Sequence, residues 1–538
     1  MFRIALISLY DMGTHGHRCL SSALKHHGFE VHNIYFGDQV IQDVPLTSEK
    51  ELLSFDHLVQ QLRPNLVGLS VTSLFSHPLA ANLSSRIKSF SDTPIIFGGP
   101  HPTIVPRFCL EEAKIDYVCI GEGEESVVEL CKGLSSGKKT DDIPGIMTKE
   151  TLRYLQRNPP QVLDQLPFQD IENENKYLIL SDGSVIEGEP ALRTTSYNTK
   201  CSRGCPFRCG YCSAAYLRSL CESGKFYRKR SVQNVIAELR RYLEINPNCR
   251  AIGFWDDNFP FDLSWVEEFS SQYKKLIHLP FHIWAHPNTI NDRLMGALKS
   301  AGLKSVISGV ESASDRTRKE IFLRPESRED ILKADRVLSK QGIEKTYDFI
   351  TDHPWENQTE LEDTFELLTK LKRPFKINMH NLFLFPNTEL AKRTIKEGRM
   401  TEKGMIENII SNVQSTSRTF QWIRGIPRQR NLERAYWIFL IMCIGNSKIP
   451  LWFIKFLSRL KILRKYPILL TDSEVMDMQG REGVSGACLT FPFQNSNFMQ
   501  RLFNTSYKKM PLLTFMGYLG CRFLSRLLKG NLQRSNKN

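Results

Sequence analysis

Between residues 201 and 212 the chain reads CSRGCPFRCGYC, with Cys205, Cys209 and Cys212 in a C-x3-C-x2-C array. Three thiols in so short a loop can converge on one soft metal centre, and no fourth ligand follows at a matching spacing. Such a set suits an iron–sulfur cluster with one open iron. Structural zinc wants a closed set of four ligands, usually two C-x2-C pairs set well apart, and the second pair is missing here. Zinc and chance clustering remain the competing readings of these residues, and Cys201 is a candidate substitute ligand.

The rest of the chain must keep that loop reduced. Its 13 cysteines are scattered without the even framework of a secreted protein, so a cytoplasmic, low-oxygen setting is expected. The opening MFRIALISLYD has an apolar run too short for a signal segment and reads as a buried first strand. A length of 538 residues predicts three or four domains.

Strand and helix periodicities alternate through the first part. Strands are predicted at 2–9, 30–36, 66–71, 94–98 and 116–120, with helices at 16–27, 51–62, 78–90, 107–113 and 124–133. This alternation predicts an α/β fold, a doubly wound parallel sheet over residues 1–137. Ligands of such sheets bind at the carboxyl ends of the strands. Small or polar residues collect at those ends: Ser70 and Thr72, Gly98 and Gly99, and Gly121, Glu122 and Gly123. On the bland reading, an ordinary flavodoxin-like fold, the glycines serve only as turn residues.

Residues 138–192 are rich in Pro and Asp and read as a linker, with DGSVIEG a hairpin turn between short strands. From 193 to 395 six further strand–helix units are expected, beginning with RTTSYNT, AIGFWDD, FHIWAH, KSVISGVES, YDFITD and INMHNLFLF. In a parallel barrel, active residues sit at the carboxyl ends of the strands. Asp256 and Asp257 end the second strand, where they could hydrogen-bond an ammonium group or cap the next helix.

The cysteine array, with Tyr211 before its last member and Ser202–Phe207 leading into it, resembles the signature of the radical S-adenosylmethionine (SAM) family. The resemblance implies a partial (β/α)6 TIM-like barrel in which Cys205, Cys209 and Cys212 hold a [4Fe–4S] cluster and SAM completes the fourth iron. It further implies SAM contacts from Tyr211 near adenine, from Asp256 and Asp257, from Glu311 in a G-x-E-S pattern, and from Arg324. GLSVTS, FGGPHPT and GEGEES resemble the cobalamin-binding domain that precedes the barrel in one class of these enzymes, with Ser70, Thr72, Gly98, Gly99, Gly121, Glu122 and Gly123 as the implied corrin contacts. The D-x-H-x-x-G motif of other cobalamin proteins is missing. His15 and His17 stand at the wrong spacing and read as polar loop residues, so cobalamin without a histidine ligand is expected.

That class implies a methyltransferase acting on an unactivated carbon through a 5′-deoxyadenosyl radical. Radical-mediated oxidative cyclisation, as in the anaerobic magnesium-protoporphyrin ester cyclase of similar architecture, is the enzymatic alternative. A non-catalytic cobalamin sensor or carrier is the alternative of another kind. The implied partners are a small-molecule substrate, anionic or lipid-like, and an electron donor such as flavodoxin or ferredoxin.

No motif is legible after residue 396. Residues 421–538 carry 19 Lys+Arg against 5 Asp+Glu, so the remaining 420 hold 71−19=52 against 58−5=53 and the basic excess lies wholly in the tail. Segments 432–445 and 449–465 read as basic amphipathic helices, the second with Trp452, Phe453, Phe456, Leu457, Leu460 and Leu463 on one side; Arg522, Arg526 and Lys529 repeat the pattern. Packing as a helical lid over the barrel and peripheral contact with an anionic membrane both fit this composition. Nucleic acid is not expected, because basic and aromatic residues do not interleave on a recognisable fold. His353, Trp355 and His380 read as packing residues, and Asn387 stands where a left-handed turn is expected.

Overall fold

The computed structural model describes residues 1–405 apart from 12, 13, 38–46, 74, 75, 152, 153, 358 and 402, together with 437, 440, 441, 443–445 and 450–460. Arg522, Arg526, Lys529 and Leu463 lie outside the described residues.

The first sheet holds β1 (Arg3–Ser8), β2 (Glu30–Phe36), β3 (Leu66–Ser70), β4 (Ile95–Gly98), β5 (Tyr117–Cys119), β6 (Ile146–Met147), β7 (Lys176–Ile179) and β8 (Val185–Glu187). Its order is β6-β5-β4-β3-β1-β2-β7-β8, parallel from β5 to β7 with an antiparallel strand at each edge. Side chains alternate across it. Ala5, Ile7, Val67 and Leu69 pack with Phe55, Leu83 and Leu110 on one face, and Ile4, Leu6, Leu66 and Ile96 pack with Leu24, Val127 and Leu130 on the other. Apolar residues on both faces are what a doubly wound sheet buries under its crossover helices. The expected hairpin around DGSVIEG forms, but its strands β7 and β8 extend this sheet, so the segment read as a linker is built into it.

The second sheet begins at β9 (Ser196–Thr199). A two-stranded ladder of β10 (Ser202–Arg203) and β11 (Arg228–Lys229) follows, then β12 (Ala251–Phe254), β13 (Phe281–Trp284), β14 (Leu303–Glu311), β15 (Glu344–Thr351) and β16 (Lys376–Asn381). The order β16-β15-β14-β13-β12-β9 is parallel throughout, as the six strand–helix units require. Tyr197, Ile252, Phe254, Phe281, Ile283 and Val306 turn outward into a core shared with the surrounding helices. By alternation Asn198, Gly253, His282, Trp284, Glu311 and Asp348 turn inward. Asn387 adopts φ +66 and donates from Nδ2 to the Ile104 carbonyl at 2.7 Å, tying the end of the barrel to the first sheet.

The tail helix Leu451–Arg459 docks through Ile454, with Phe453, Leu457 and Leu460 beside it, on a core formed by Val310, Phe349, Phe365 and Met379. It lies against the outward-facing residues of β14–β16. Trp452 and Phe456, expected on the same side as Phe453 and Leu457, point outward at 69% and 52% exposure. Among the described residues no helix is long and apolar enough to cross a membrane.

Candidate functional site

The cysteine loop is held at both ends. Below it, β10 pairs with β11, and the Asp256 carboxylate accepts the backbone N–H groups of Cys201 at 3.2 Å and Ser202 at 2.6 Å, together with the Ser202 hydroxyl. Above it, Gly210 N–H donates to the Phe322 carbonyl at 2.8 Å and the Phe207 ring stacks on His286 at 3.8 Å. Gly204 takes φ +79 against the Phe226 carbonyl, where a side chain would collide. Cys205, Cys209 and Cys212 are free thiols in this frame. Burial pushes Cys205 up to about 11 and Cys212 up to about 12, so the loop favours neutral thiols until a cation is present to draw the protons off. Cys201, the candidate substitute ligand, is fully buried in the barrel core.

The two aspartates separate in role. Asp256, expected at the SAM ammonium, spends its oxygens on the loop backbone and is buried, with its carboxyl pushed up to about 6 by desolvation. Asp257 stays open, 3.8 Å from Lys200, and its charge acts on both Cys205 and Cys212. Glu311 takes φ +63 where β14 slips register against β15, a bulge that turns its carboxylate inward.

Arg324 is a buried hub rather than a solvated arginine awaiting a carboxylate. Its guanidinium donates to Glu326 at 2.5 Å, to the Gly309 carbonyl at 2.6 Å and to the Tyr211 hydroxyl at 3.0 Å, with Glu311 3.6 Å and Cys209 Sγ 3.7 Å away. Glu326 also meets His286 at 3.1 Å. Neither Glu326 nor His286 stands out in the sequence, because each gains its place only by facing Arg324 and Phe207. Tyr211 packs edge-on against Phe322 with its hydroxyl on Arg324.

Farther into the barrel, Trp255 Nε1 and His282 Nε2 each lie 2.8 Å from where a Cβ on Gly253 would stand, and Asn198 Oδ1 crowds the same point. The missing side chain leaves room for three polar groups, with Trp284 4.8 Å from Trp255. None of these three side chains hydrogen-bonds another described residue. Asp348 and Asn378 face the same interior, joined at 2.8 Å. Desolvation, then the charge of Glu311, pushes Asp348 up to about 7. Since the folded state holds this proton above the usual aspartate range, stability is lost as pH rises from about 4 to about 7. Asp348→Asn is therefore expected to match the wild type at pH 4 and to be the more stable protein above pH 7, as read by denaturant unfolding at the two pH values.

At the carboxyl end of the first sheet Ser70 pairs with Gly98. Gly99 follows at φ +111, where a Cβ would sit 2.9 Å from the Val71 carbonyl oxygen. Gly121 has φ +84 and open space beside it, so backbone there is accessible to a large ligand. Gly123 opens the helix Gly123–Ser135, and Thr72 is exposed beyond β3. Glu122, expected at the corrin, is instead bound by Arg203 at 2.7 Å and by Arg228, while Glu124 takes the other arm of Arg203 at 2.6 Å. These pairs couple the sheet to the loop, since Arg203 stands two residues before Cys205. His17 is buried and His15 half-buried in the first turn of helix His15–His26, not in a loop, and desolvation lowers both to about 3. His353 is buried against Glu360 at 2.9 Å, and Trp355 packs under Arg393 and Arg399, so both serve packing as expected.

A family model for the B12 binding domain matches residues 4–131, and one for the radical SAM superfamily matches residues 199–368. The chain thus carries a B12-binding domain followed by a radical SAM domain. It is 27% identical to an uncharacterized methyltransferase of Pyrococcus horikoshii over 64% of this chain and 71% of that protein. It is 23% identical to cytidylyl-2-hydroxyethylphosphonate methyltransferase of Streptomyces wedmorensis, over 57% of this chain and 62% of that protein. The fold is similar to that of the radical SAM methyltransferase TsrM from Kitasatospora setae, with a TM-score of 0.58, 17% identity, and 74% and 76% of the two chains covered.

The donor set fits a radical SAM centre: three free thiols, no fourth cysteine at the loop among the described residues, and the carboxylates of Asp257 and Glu311 nearby. The glycine-lined end of the first sheet likewise fits a broad ligand lying on backbone.

Proposed function

We propose that this enzyme methylates an unactivated carbon of a small-molecule substrate, with Cys205, Cys209 and Cys212 holding a [4Fe–4S] cluster and the Ser70, Thr72, Gly98, Gly99, Gly121 and Gly123 edge holding cobalamin. The observation that carries the reading is the Glu122–Arg203–Glu124 junction, which sets that edge against the cysteine loop so that two cofactors can serve one chamber. When bound, the cluster with SAM supplies a 5′-deoxyadenosyl radical and the corrin supplies a methyl group.

The chain's own residues hold and enclose. Asp257 and Glu311 bind the amino and ribose groups of SAM, Tyr211 lies at its adenine, and Arg324 acts as a positioning residue for Tyr211 and Cys209. Trp255, Trp284, His282 and Asn198 hold the substrate in the barrel interior, where the two indoles offer an apolar wall and the three polar groups orient it. A flavodoxin- or ferredoxin-type protein supplies the electron.

The test is anaerobic reconstitution with cobalamin and analysis of the products of SAM. Formation of both 5′-deoxyadenosine and S-adenosylhomocysteine is expected. Deoxyadenosine alone would move the assignment to cyclisation or another radical route, and neither product would leave a cobalamin carrier.

The outward face of helix Leu451–Arg459, carrying exposed Trp452 and Phe456 with Lys455 and Arg459, supports peripheral contact with an anionic membrane. Flotation with phosphatidylserine vesicles is expected and should weaken in the Trp452→Ser/Phe456→Ser variant; no flotation at low salt would remove the contact.

A further inference from the structure

Three side chains that the radical chemistry does not use meet beneath the first sheet's ligand edge. His77 opens the helix His77–Phe90, His101 lies in the short helix Pro100–Ile104, and Cys109 lies in helix Pro106–Glu112. All three are buried, and their ligand atoms lie within 4.8 Å of one another. His101 Nε2 is 3.3 Å from His77 Nδ1, and Cys109 Sγ is 3.8 Å from the same nitrogen.

Hydrogen bonding explains this arrangement incompletely. A neutral ring nitrogen either donates one hydrogen or accepts on one lone pair, yet two polar groups converge on His77 Nδ1. A metal ion accounts for the convergence once the three ligand atoms draw slightly closer together. Tetrahedral bonds of about 2.0 Å to nitrogen and about 2.3 Å to sulfur set such atoms roughly 3.3 to 3.6 Å apart. The rings of Phe97 and Phe108 flank the group, with Phe108 4.9 Å from His77. Two imidazoles and one thiolate are soft donors, suited to zinc(II) or copper(I) and poorly suited to magnesium or calcium.

We propose that His77, His101 and Cys109 bind one d10 transition-metal ion, zinc(II) or copper(I), which pins the segment after β3 to the segment after β4. The His101 N–H already reaches the Val71 carbonyl at 3.3 Å, so an ion here would stiffen the same edge that carries Ser70, Gly98 and Gly99.

The test is metal content, which needs no turnover. Zinc and copper are measured per polypeptide in the full chain with Cys205, Cys209 and Cys212 all replaced by alanine, so that neither metal can reside in the cluster loop. About one equivalent of zinc or of copper is expected, identifying which ion the site takes, and at least a tenfold fall is expected on adding Cys109→Val. Less than a tenth of an equivalent of both metals before that change, or an equivalent that survives it, would overturn the site. Should Cys109→Val fail to fold, cobalt(II) loaded into the triple variant decides: thiolate charge-transfer and tetrahedral ligand-field bands support the site, and an octahedral spectrum rejects it.

Discussion

Cys209→Ala is expected to abolish 5′-deoxyadenosine formation while leaving the fold and the corrin absorption in place. Cys209 is the most buried of the three loop cysteines and lies against Arg324, so neither water nor a nearby side chain can replace its sulfur. Loss of an outer partner of a metal ligand typically costs about 10- to 100-fold, and removal of a ligand itself should exceed that. Cys201→Ala is the matched control: its thiol lies in the barrel core, and the variant should keep both its iron and its product. Anaerobic iron analysis with chromatography of deoxyadenosine checks both. A Cys209→Ala protein turning over within tenfold of wild type would remove the cluster assignment.

Arg324→Met is expected to give the largest loss of stability among single changes at the site. The Arg324 side chain is 5% exposed and that of Glu326 is fully buried, so removing the cation strands a carboxylate in the interior. Breaking a buried pair in this way costs about 3–5 kcal/mol. His286 remains 3.1 Å from Glu326 and can compensate part of it by taking up a proton, which places the expected loss near the lower end of that range. The double variant Arg324→Met/Glu326→Gln should be more stable than Arg324→Met alone, because the stranded charge is gone. Denaturant unfolding of the four proteins closes the cycle. A single-variant loss below about 0.5 kcal/mol, the level of an ordinary surface change, would show that Arg324 is not buried as a hub. In SAM binding, a raised KM with Tyr211 displaced is the accompanying result.

Much of this architecture was legible before any coordinates. The short apolar runs LVGLSV and PIIFG read as strands buried on both faces, and VQNVIAELRRYLEI as a helix laying one apolar side on a sheet. The helix expected near 107–113 forms as Pro106–Glu112, and a further short helix, Pro100–Ile104, precedes it and stops before Pro106, which cannot continue it. The hairpin DGSVIEG was legible as a turn, but its joining the first sheet was not, since edge pairing leaves little trace in composition.

By itself, then, the sequence determined what depends on neighbours along the chain: the strand and helix order, the alternation of the two sheets, and three thiols whose spacing forces them together. Only the tertiary structure decided what depends on partners brought from afar. It committed Asp256 to the loop backbone and left Asp257 exposed, gave Glu122 to Arg203 and Arg228 across 81 and 106 residues, and joined His77 to His101 and Cys109. The reason is physical. Hydrophobic periodicity is written residue by residue, whereas the partner of a buried charge or ring nitrogen is chosen by which loops the finished sheets bring within a few ångströms, where desolvation leaves no group unpaired without cost.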